Sequence, residues 1–542
     1  MAPESASGPD GRVSDGMTVV TEMLDPGAPG GDDLTIIFGE RRRTRASLRA
    51  AALNVSAGLR RAGVLRGDRV AVLSAGRMEV LDTFFGVAYA GAINVVLNAF
   101  LKSDMLAYQL RVTTPRVAVT DEAGARAIAA IKHELDDPPA VINLDEPADL
   151  AELLRAPSAD AAVERPAPSD PVSIVFTSGT TGRSKGCVLS HQYFVEVGLR
   201  IAENFPLSPS DLFYTPYPLF HIGGQCAALA HALVTGASVA FEPEFHASEF
   251  WDRARALGAT YSQGTGAVGM ALLAQPPSAR DQDHSLRFVS WIPMAAEAAE
   301  AFAKRFGVRV VSEWYGQTEM SPISMNLGYA RNERCQGSMG FPLPDVEVRV
   351  AGDDGEPVPA GTAGELLVRP RRGGIMFSGY WAQPEQTVAS WRDLWYHTGD
   401  IVLAEPDGSL SFVDRKTDSI RRSGENVSCF EVEQVLMRLT GVSQVAVHAV
   451  PADLIEDEIK AWIVAAPGAR LSPRDVFEYC SSRLPYFAIP RFLEFSSELP
   501  LNAMGKVVKD TLRSAGMTGS QHDLKALGLV LERSQRRGTV AP

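Results

Sequence analysis

Residues 173–190 read SIVFTSGTTGRSKGCVLS, and no other segment constrains the fold as strongly. The apolar run at its start has the length and β-branched content of a buried strand. It delivers the chain into Thr177, Ser178, Gly179, Thr180, Thr181 and Gly182, and then into Arg183, Ser184, Lys185 and Gly186. Glycines let the backbone curl so that successive N–H groups point inward. The hydroxyls add donors, and Lys185 adds a mobile positive charge. A loop of this kind behind a strand suits a polyphosphate. It is not a Walker A loop, because Gly179 and Gly182 are too close together and no Gly-Lys-Ser/Thr follows. A glycine pair alone would be an ordinary turn. An unbroken row of glycine and hydroxyl residues after a buried strand asks for a ligand.

The pattern around this loop is that of an α/β protein. A helix is predicted from Ser47, with Leu48, Ala52, Val55 and Leu59 on one face. A strand at Arg69–Leu73, a helix at 78–90 and strands at 116–120 and 140–144 follow. Residues 145–171, rich in Ala, Pro and Asp, read as a surface connection. Strands return at 172–177, 238–241 and 309–312. This alternation predicts two sheet-based α/β lobes with largely parallel strands. From 340 to 413 the pattern changes to short strands divided by DDGEP, PAGTAG and EPDGS turns, a β-rich lobe. Beyond Asp414 a helix at 430–439, strands at 443–450 and 459–465 and a helix at 472–483 form a small α+β unit. The expected domains are a disordered tail (1–16), an N-terminal domain (17–414), a C-terminal cap (415–512) and an extension (513–542). Within the extension, 524–531 reads as a short helix without a function. At 542 residues the chain exceeds what one core of about 250–300 residues can hold.

Composition narrows the function classes. The 52 Lys and Arg against 65 Asp and Glu give a net charge of −13, which disfavours nucleic-acid binding. Cys187, Cys226, Cys335, Cys429 and Cys480 show no zinc-ligand or redox spacing, so a reduced, cytoplasmic chain is expected. The first sixteen residues lack the apolar core of a signal peptide. The longest apolar stretch, 86–101, is broken by Asn94 and Asn98 and falls short of the ~20 residues of a membrane span.

Further motifs carry a resemblance. TSGTTGRSKG is similar to the phosphate loop of the adenylate-forming superfamily of acyl-CoA synthetases, adenylation domains and luciferases. Tyr315-Gly316-Gln317-Thr318-Glu319 resembles its YGxTE, and Trp395 to Asp400 its W-x-x-TGD. Asp414-Arg415, Gly424-Glu425-Asn426 and Glu431-Val432-Glu433 resemble its DR…GEN…EVE, and Pro500 to Lys506 its terminal GK motif. LNAFLKSDMLAYQL (97–110), LFHIGG (219–224), AFAKRFGVRV (301–310) and SGENVSCFEVE (423–433) resemble the crotonobetaine/carnitine-CoA ligase branch. The resemblance implies activation of a small acid by ATP as its adenylate, release of pyrophosphate and transfer to CoA. It implies Mg²⁺ at Glu319, the α-phosphate at Thr318 and the ribose hydroxyls at Asp400. Arg415 would assist at ribose or phosphate, and Lys506 would bridge the carboxylate and the α-phosphate. Trp314, Tyr315, Gly316 and Gln317 would border the nucleotide.

Four residues are expected at the acid: His221, Gly264, Trp291 and Trp314. For His221, core packing is an equally physical reading, and for Trp291 packing is the commoner role of such a residue. The chain departs from the family at Ser290-Trp291-Ile292-Pro293, where many relatives have a glycine-rich turn. It also departs at Thr417, where the resemblance implies a hinge for a mobile cap and where Asp or Lys is common. An acceptor other than CoA stands as the alternative. It would be an amine, a carrier-protein thiol, or nitrite chemistry with an aromatic amine in a diazotase. A non-catalytic nucleotide-binding relative is the third reading.

Overall fold

The structure, a computed structural model, describes residues 16–32, 34–156, 165–177, 183–326, 338–415, 419–423, 425–451, 457–500, 507–532 and 535–536. Residues 1–15 of the predicted N-terminal tail, Ser178 to Gly182, Thr417 and Lys506 lie outside the described residues.

Two sheets build most of the large domain. A six-stranded sheet runs in the order Ala140–Asn143, Val117–Thr120, Arg69–Leu73, Ile93–Val96, Pro171–Thr177 and Lys185–Ser190. Its neighbours are parallel except the last pair, which is an antiparallel hairpin around the phosphate loop. A seven-stranded sheet runs Arg309–Val310, Phe288–Ile292, Tyr261–Thr265, Leu212–Thr215, Ser238–Phe241, Thr35–Phe38 and Arg41–Thr44. All its pairs are parallel except that of Thr35–Phe38 with Arg41–Thr44. The helix Met78–Tyr89 is buried at every residue and belongs to the largest apolar core. A helix enclosed on all sides is largely apolar, as this one is. Arginines reach its two acids: Arg43 pairs with Asp82 at 2.9 Å and Arg77 with Glu79 at 2.9 Å.

The predicted β-rich lobe is an antiparallel sheet of Val346–Ala351, Ala363–Pro370, Trp395–Ala404, Trp391–Arg392 and Leu410–Arg415. The small domain has a hairpin, Ser419–Arg422 with Glu425–Ser428. It also has a sheet ordered Val442–Pro451, Asp457–Ala465, Phe492–Ser496 and His522–Asp523. Polar and aromatic contacts fasten it to the large domain. Arg438 pairs with Asp104 at 2.6 Å, Lys102 Nζ donates to the Ser481 carbonyl at 3.3 Å, and Tyr486 meets Phe100 edge-on at 5.1 Å.

Three sequence readings are corrected. The connection 145–171 contains a helix, Pro147–Leu153, with proline in its first turn and Leu153 buried against Val55 and Leu59. The boundary between 512 and 513 falls inside the helix Lys509–Ala515. Residues 524–531 are not a helix. The Asp523 carboxylate accepts from the Lys525 N–H at 2.9 Å, Gly528 takes φ +72°, and the Leu529 N–H returns to the Leu524 carbonyl at 2.8 Å, which closes a turn. No described helix is long and apolar enough to cross a membrane.

Candidate active site

The site grows from the ends of strands. Trp314–Gln317 turns back through Thr318 and Glu319 into Met320–Met325. Buried groups hold this turn at three backbone carbonyls: Tyr193 Oη donates to Thr318 at 3.0 Å, the Phe377 N–H to Glu319 at 2.8 Å, and Arg200 to Ser321 at 3.0 Å. The Tyr315 hydroxyl and the Gln317 amide then reach one acceptor. They donate to Asp400 Oδ2 at 2.5 and 2.8 Å, and Gln317 also donates to the Thr398 carbonyl at 2.9 Å. Asp400, 2% exposed, therefore stands in a fixed rotamer. It pairs through the backbone with Arg415 on the neighbouring strand.

Glu319, 7% exposed, accepts from Tyr380 Oη at 2.7 Å, and Tyr380 Oη lies 3.2 Å from Tyr396 Oη. Lys185 Nζ stands 4.8 Å from the centre of the Tyr380 ring. Burial lowers the Lys185 ammonium from its usual value, while the Glu319 charge opposes that shift. Burial likewise pushes the neighbouring Cys187 thiol up, with Glu319 adding to it. A carboxylate and a lysine thus share a poorly hydrated space at the base of the phosphate loop. A lone carboxylate of this type fits a Mg²⁺ ion that arrives with the phosphates and keeps several waters. Among the described residues no cluster of three or more His, Cys, Asp or Glu could hold a metal by itself. The fit therefore rests on Glu319 alone.

The small domain touches the loop directly. Glu431 Oε1 accepts from the Ser184 N–H at 2.9 Å and the Ser184 hydroxyl at 3.0 Å, while Gln109 Nε2 donates to that hydroxyl oxygen at 3.3 Å and Tyr108 Oη to the Ser184 carbonyl at 3.1 Å. Burial raises the Glu431 carboxyl, and the two Ser184 bonds oppose the rise. Its motif companion Glu433 accepts from the Val447 N–H at 2.7 Å and from Lys509 at 2.8 Å.

Beside this lies a cavity of about 760 Å³. It sits at the carboxyl ends of both large sheets, where Ser74, Leu97, Pro216, Glu242 and Thr265 follow or end strands. None of Asp400, Glu319 or Lys185 lines it, so the site has two ends. His221 does line it, stacked on Tyr217 with centroids 6.0 Å apart and taking the Gly223 N–H on Nδ1 at 2.9 Å. Burial, with the Arg421 charge adding, lowers His221 to about 4, so the ring is neutral at neutral pH.

The structure thus brings together Lys185, Tyr315, Gln317, Glu319 and Asp400, and it puts His221 on the cavity wall. Thr318 and Gly316 lie on the turn between them. Thr177 ends its strand with Oγ1 4.0 Å from Cys187 Sγ. The side chain of Arg415 is outside the description, as are Ser178 to Gly182 and Lys506. The tryptophans lie away from the cavity. Trp291 is fully buried among Phe250, Phe302 and Gly269, and Trp314 stacks on Phe205 at 6.3 Å. Both pack the core, and neither lines the cavity. Gly264 serves that packing, because a Cβ there would stand 3.0 Å from both Pro216 and Trp291. Sequence reasoning missed Tyr380 and Tyr217, which have no motif spacing, and gave no role to Tyr396 inside the Trp395 to Asp400 motif. It saw the Glu431 motif without its partner.

Residues 27–381 match the AMP-binding enzyme family, and residues 431–506 match the AMP-binding enzyme C-terminal domain. The chain belongs to the AMP-binding enzyme family. It is an ATP-dependent, AMP-forming ligase of the adenylate-forming fold. It is 32% identical over 464 residues to the crotonobetaine/carnitine–CoA ligase of Salmonella choleraesuis (strain SC-B67), covering 83% of this chain and 89% of the relative. The amide bond synthetase McbA from Marinactinospora thermotolerans superposes with a TM-score of 0.78 at 26% identity, over 92% of this chain and 99% of that one. The anthranilate CoA ligase AuaEII, solved with anthranoyl-AMP, superposes with a TM-score of 0.69 at 25% identity, over 95% and 100%.

Proposed function

We propose that this AMP-binding enzyme converts a small carboxylic acid, ATP and CoA into an acyl-CoA thioester, AMP and pyrophosphate. In the first step an acid oxygen bonds to the α-phosphorus as the bond to pyrophosphate breaks. In the second the CoA sulfur bonds to the acyl carbon, its proton is lost and AMP departs. No protein nucleophile is required, and fixed charges at the phosphates supply the catalysis.

The observation that carries this reading is the pinned pair of acids. Asp400, held by Tyr315 and Gln317, is positioned for the ribose hydroxyls. Glu319, held by Tyr380, faces the loop lysine Lys185. Glu319 would hold Mg²⁺, which when bound neutralises phosphate charge. Thr318 and the loop from Thr177 to Gly182 would take the phosphates, and Arg415 the ribose or phosphate. Lys506 would meet the acid carboxylate at the α-phosphate. The neutral His221 and the apolar Phe220, Val268 and Ala271 suit an acid whose body carries no charge.

The likeness to an amide bond synthetase supports a second reading, in which the same adenylate passes to an amine. Nitrite activation with an aromatic amine belongs to the same class. One experiment separates them: a panel of acids and nitrite, each with ATP, with and without CoA, reading AMP release and trapping adenylates with hydroxylamine. CoA-dependent AMP release with a thioester product is expected. Amine-dependent release without CoA would replace the first reading by the second. No AMP with any member of the panel would return the chain to a nucleotide-binding role.

A further inference from the structure

The family match ends at residue 506, yet the ordered chain goes on and enters the cavity wall. Thr518 and Ser520 donate to Glu494 at 2.5 and 2.7 Å. His522–Asp523 then adds an antiparallel strand to Phe492–Ser496, with Leu493 opposite His522. Asp523 pairs with Arg491 at 3.0 Å, and the Leu524 N–H donates to the Arg491 carbonyl at 2.9 Å. Leu524 and Leu529 are buried against the small-domain core. Backbone pairing, an ion pair and two buried leucines therefore fix the segment as part of the domain.

What this fixed segment presents is chemically mixed. Leu529, Val530 and Leu531 line the cavity, as do Lys525 and Arg536. Val530 is 53% exposed, an apolar side chain left uncovered on an otherwise anchored turn. The Arg536 guanidinium lies 4.4 Å over the Tyr486 ring, and Tyr486 meets Phe100 of the large domain. Among the described residues the buried Arg536 Nε has no hydrogen-bond partner. The neighbouring cavity cations are already engaged, Arg422 with the Glu458 carboxylate at 2.7 Å and the Ile489 carbonyl, and Arg491 with Asp523 at 3.0 Å. Positive charge for a ligand on this wall thus comes from the extension.

We propose that residues 524–532, together with Arg536, are an acceptor-specificity wall. Their apolar side chains pack the uncharged arm of a phosphopantetheine thiol, and Lys525 and Arg536 favour its phosphates. The wall rests on the acid–CoA ligase reading and goes beyond it, since it assigns the second substrate to a segment outside the family match.

The test uses the full-length protein, the variants Val530→Asp and Lys525→Glu with Arg536→Glu, and a chain ending at Leu527. Circular dichroism confirms that each folds. With the acid found by the panel, acid-dependent ATP–pyrophosphate exchange reads the first step. Thioester formation from CoA, and separately from pantetheine, reads the second. The charge-reversed double variant is expected to raise KM for CoA roughly tenfold, about 1.4 kcal/mol, while pantetheine and exchange stay within twofold. Val530→Asp and the shortened chain are expected to raise KM for both thiols. Unchanged KM for CoA in all three folded variants would overturn the wall and leave the ligase reading standing. Exchange by the unaltered protein without thioester from either thiol would instead overturn the acceptor reading, and the wall with it. Calorimetric titration of CoA in the presence of AMP gives the same comparison as a binding constant.

Discussion

Asp400 and Glu319 take their hydroxyl and amide donors from the large domain, at Tyr315, Gln317 and Tyr380. The cavity beside His221 takes its wall from the large domain, the small domain and the extension together. The hydrogen bonds that hold these two acids do not involve the small domain. The second end exists only while the domains are docked. A two-step ligase has use for both. Charge development at phosphorus rewards groups that do not reorganise. The acceptor must enter after pyrophosphate leaves, and a site made at a seam can open for it. Lesions at the first end should stop the adenylate from forming, and lesions at the second should spare it.

The largest effects are expected at the charges nearest phosphorus. Lys506→Ala should lower acid-dependent pyrophosphate exchange by roughly 10²–10³, with much less loss in thioester formation from supplied acyl-AMP. Glu319→Gln should lower exchange by about 10² and raise the Mg²⁺ concentration needed for half-maximal rate. Equal loss in both half-reactions for either variant would erase the distinction between the two ends. Asp400→Asn comes next. It keeps the shape and removes the charge that Tyr315 and Gln317 orient, so KM for ATP should rise roughly tenfold, about 1.4 kcal/mol, in initial-rate measurements. Unchanged ATP affinity would mean that the ribose is held elsewhere.

Glu431→Ala probes the seam. It removes the carboxylate that binds Ser184 across 247 residues of chain. Thioester formation should slow by about tenfold while exchange changes little, since a hydrogen bond to a charged group is worth roughly 1.5–3 kcal/mol. Loss of exchange instead would place Glu431 with the adenylation machinery. The smallest effect is in pH. Burial lowers His191, His221 and His231 from 6.5 to about 4. Below 6.5 the unfolded chain binds protons that the folded chain refuses. Stability is therefore complete above that value and is lost as pH falls toward 4, by up to about 1.4 kcal/mol per pH unit for each ring. Thermal midpoints should decline from pH 7 to pH 5, and His221→Gln should flatten the decline. A midpoint independent of pH would show these rings charged in the folded chain.

Much of the frame was legible because it follows from local rules. The strand Ser238–Phe241 falls where its apolar run was read, and the phosphate loop follows its strand at Thr177. What escaped reading was decided by partners distant in sequence. Trp291 and Trp314 stood beside motif residues and were read as pocket walls, yet Gly264, Gly269 and Phe205 draw them into the core. Tyr380 belongs to the site only because its hydroxyl reaches Glu319, 61 positions away. Residues 524–531 have helix-like leucine spacing, but the Asp523 side chain and the positive φ of Gly528 favour a turn that periodicity cannot show.

The seam between the domains has a further consequence through ionic strength. The Arg438–Asp104 pair is solvent-accessible, with the arginine side chain 52% exposed, and such pairs contribute about 0–1 kcal/mol. Dissolved ions screen it over roughly 8 Å at 0.15 M salt. The Ser184–Glu431 bonds are buried and escape most of that screening. Added salt would therefore slacken the rim of the docked domain before its anchor, so that the docking equilibrium, and with it the turnover of the second step, follows the saltiness of the medium.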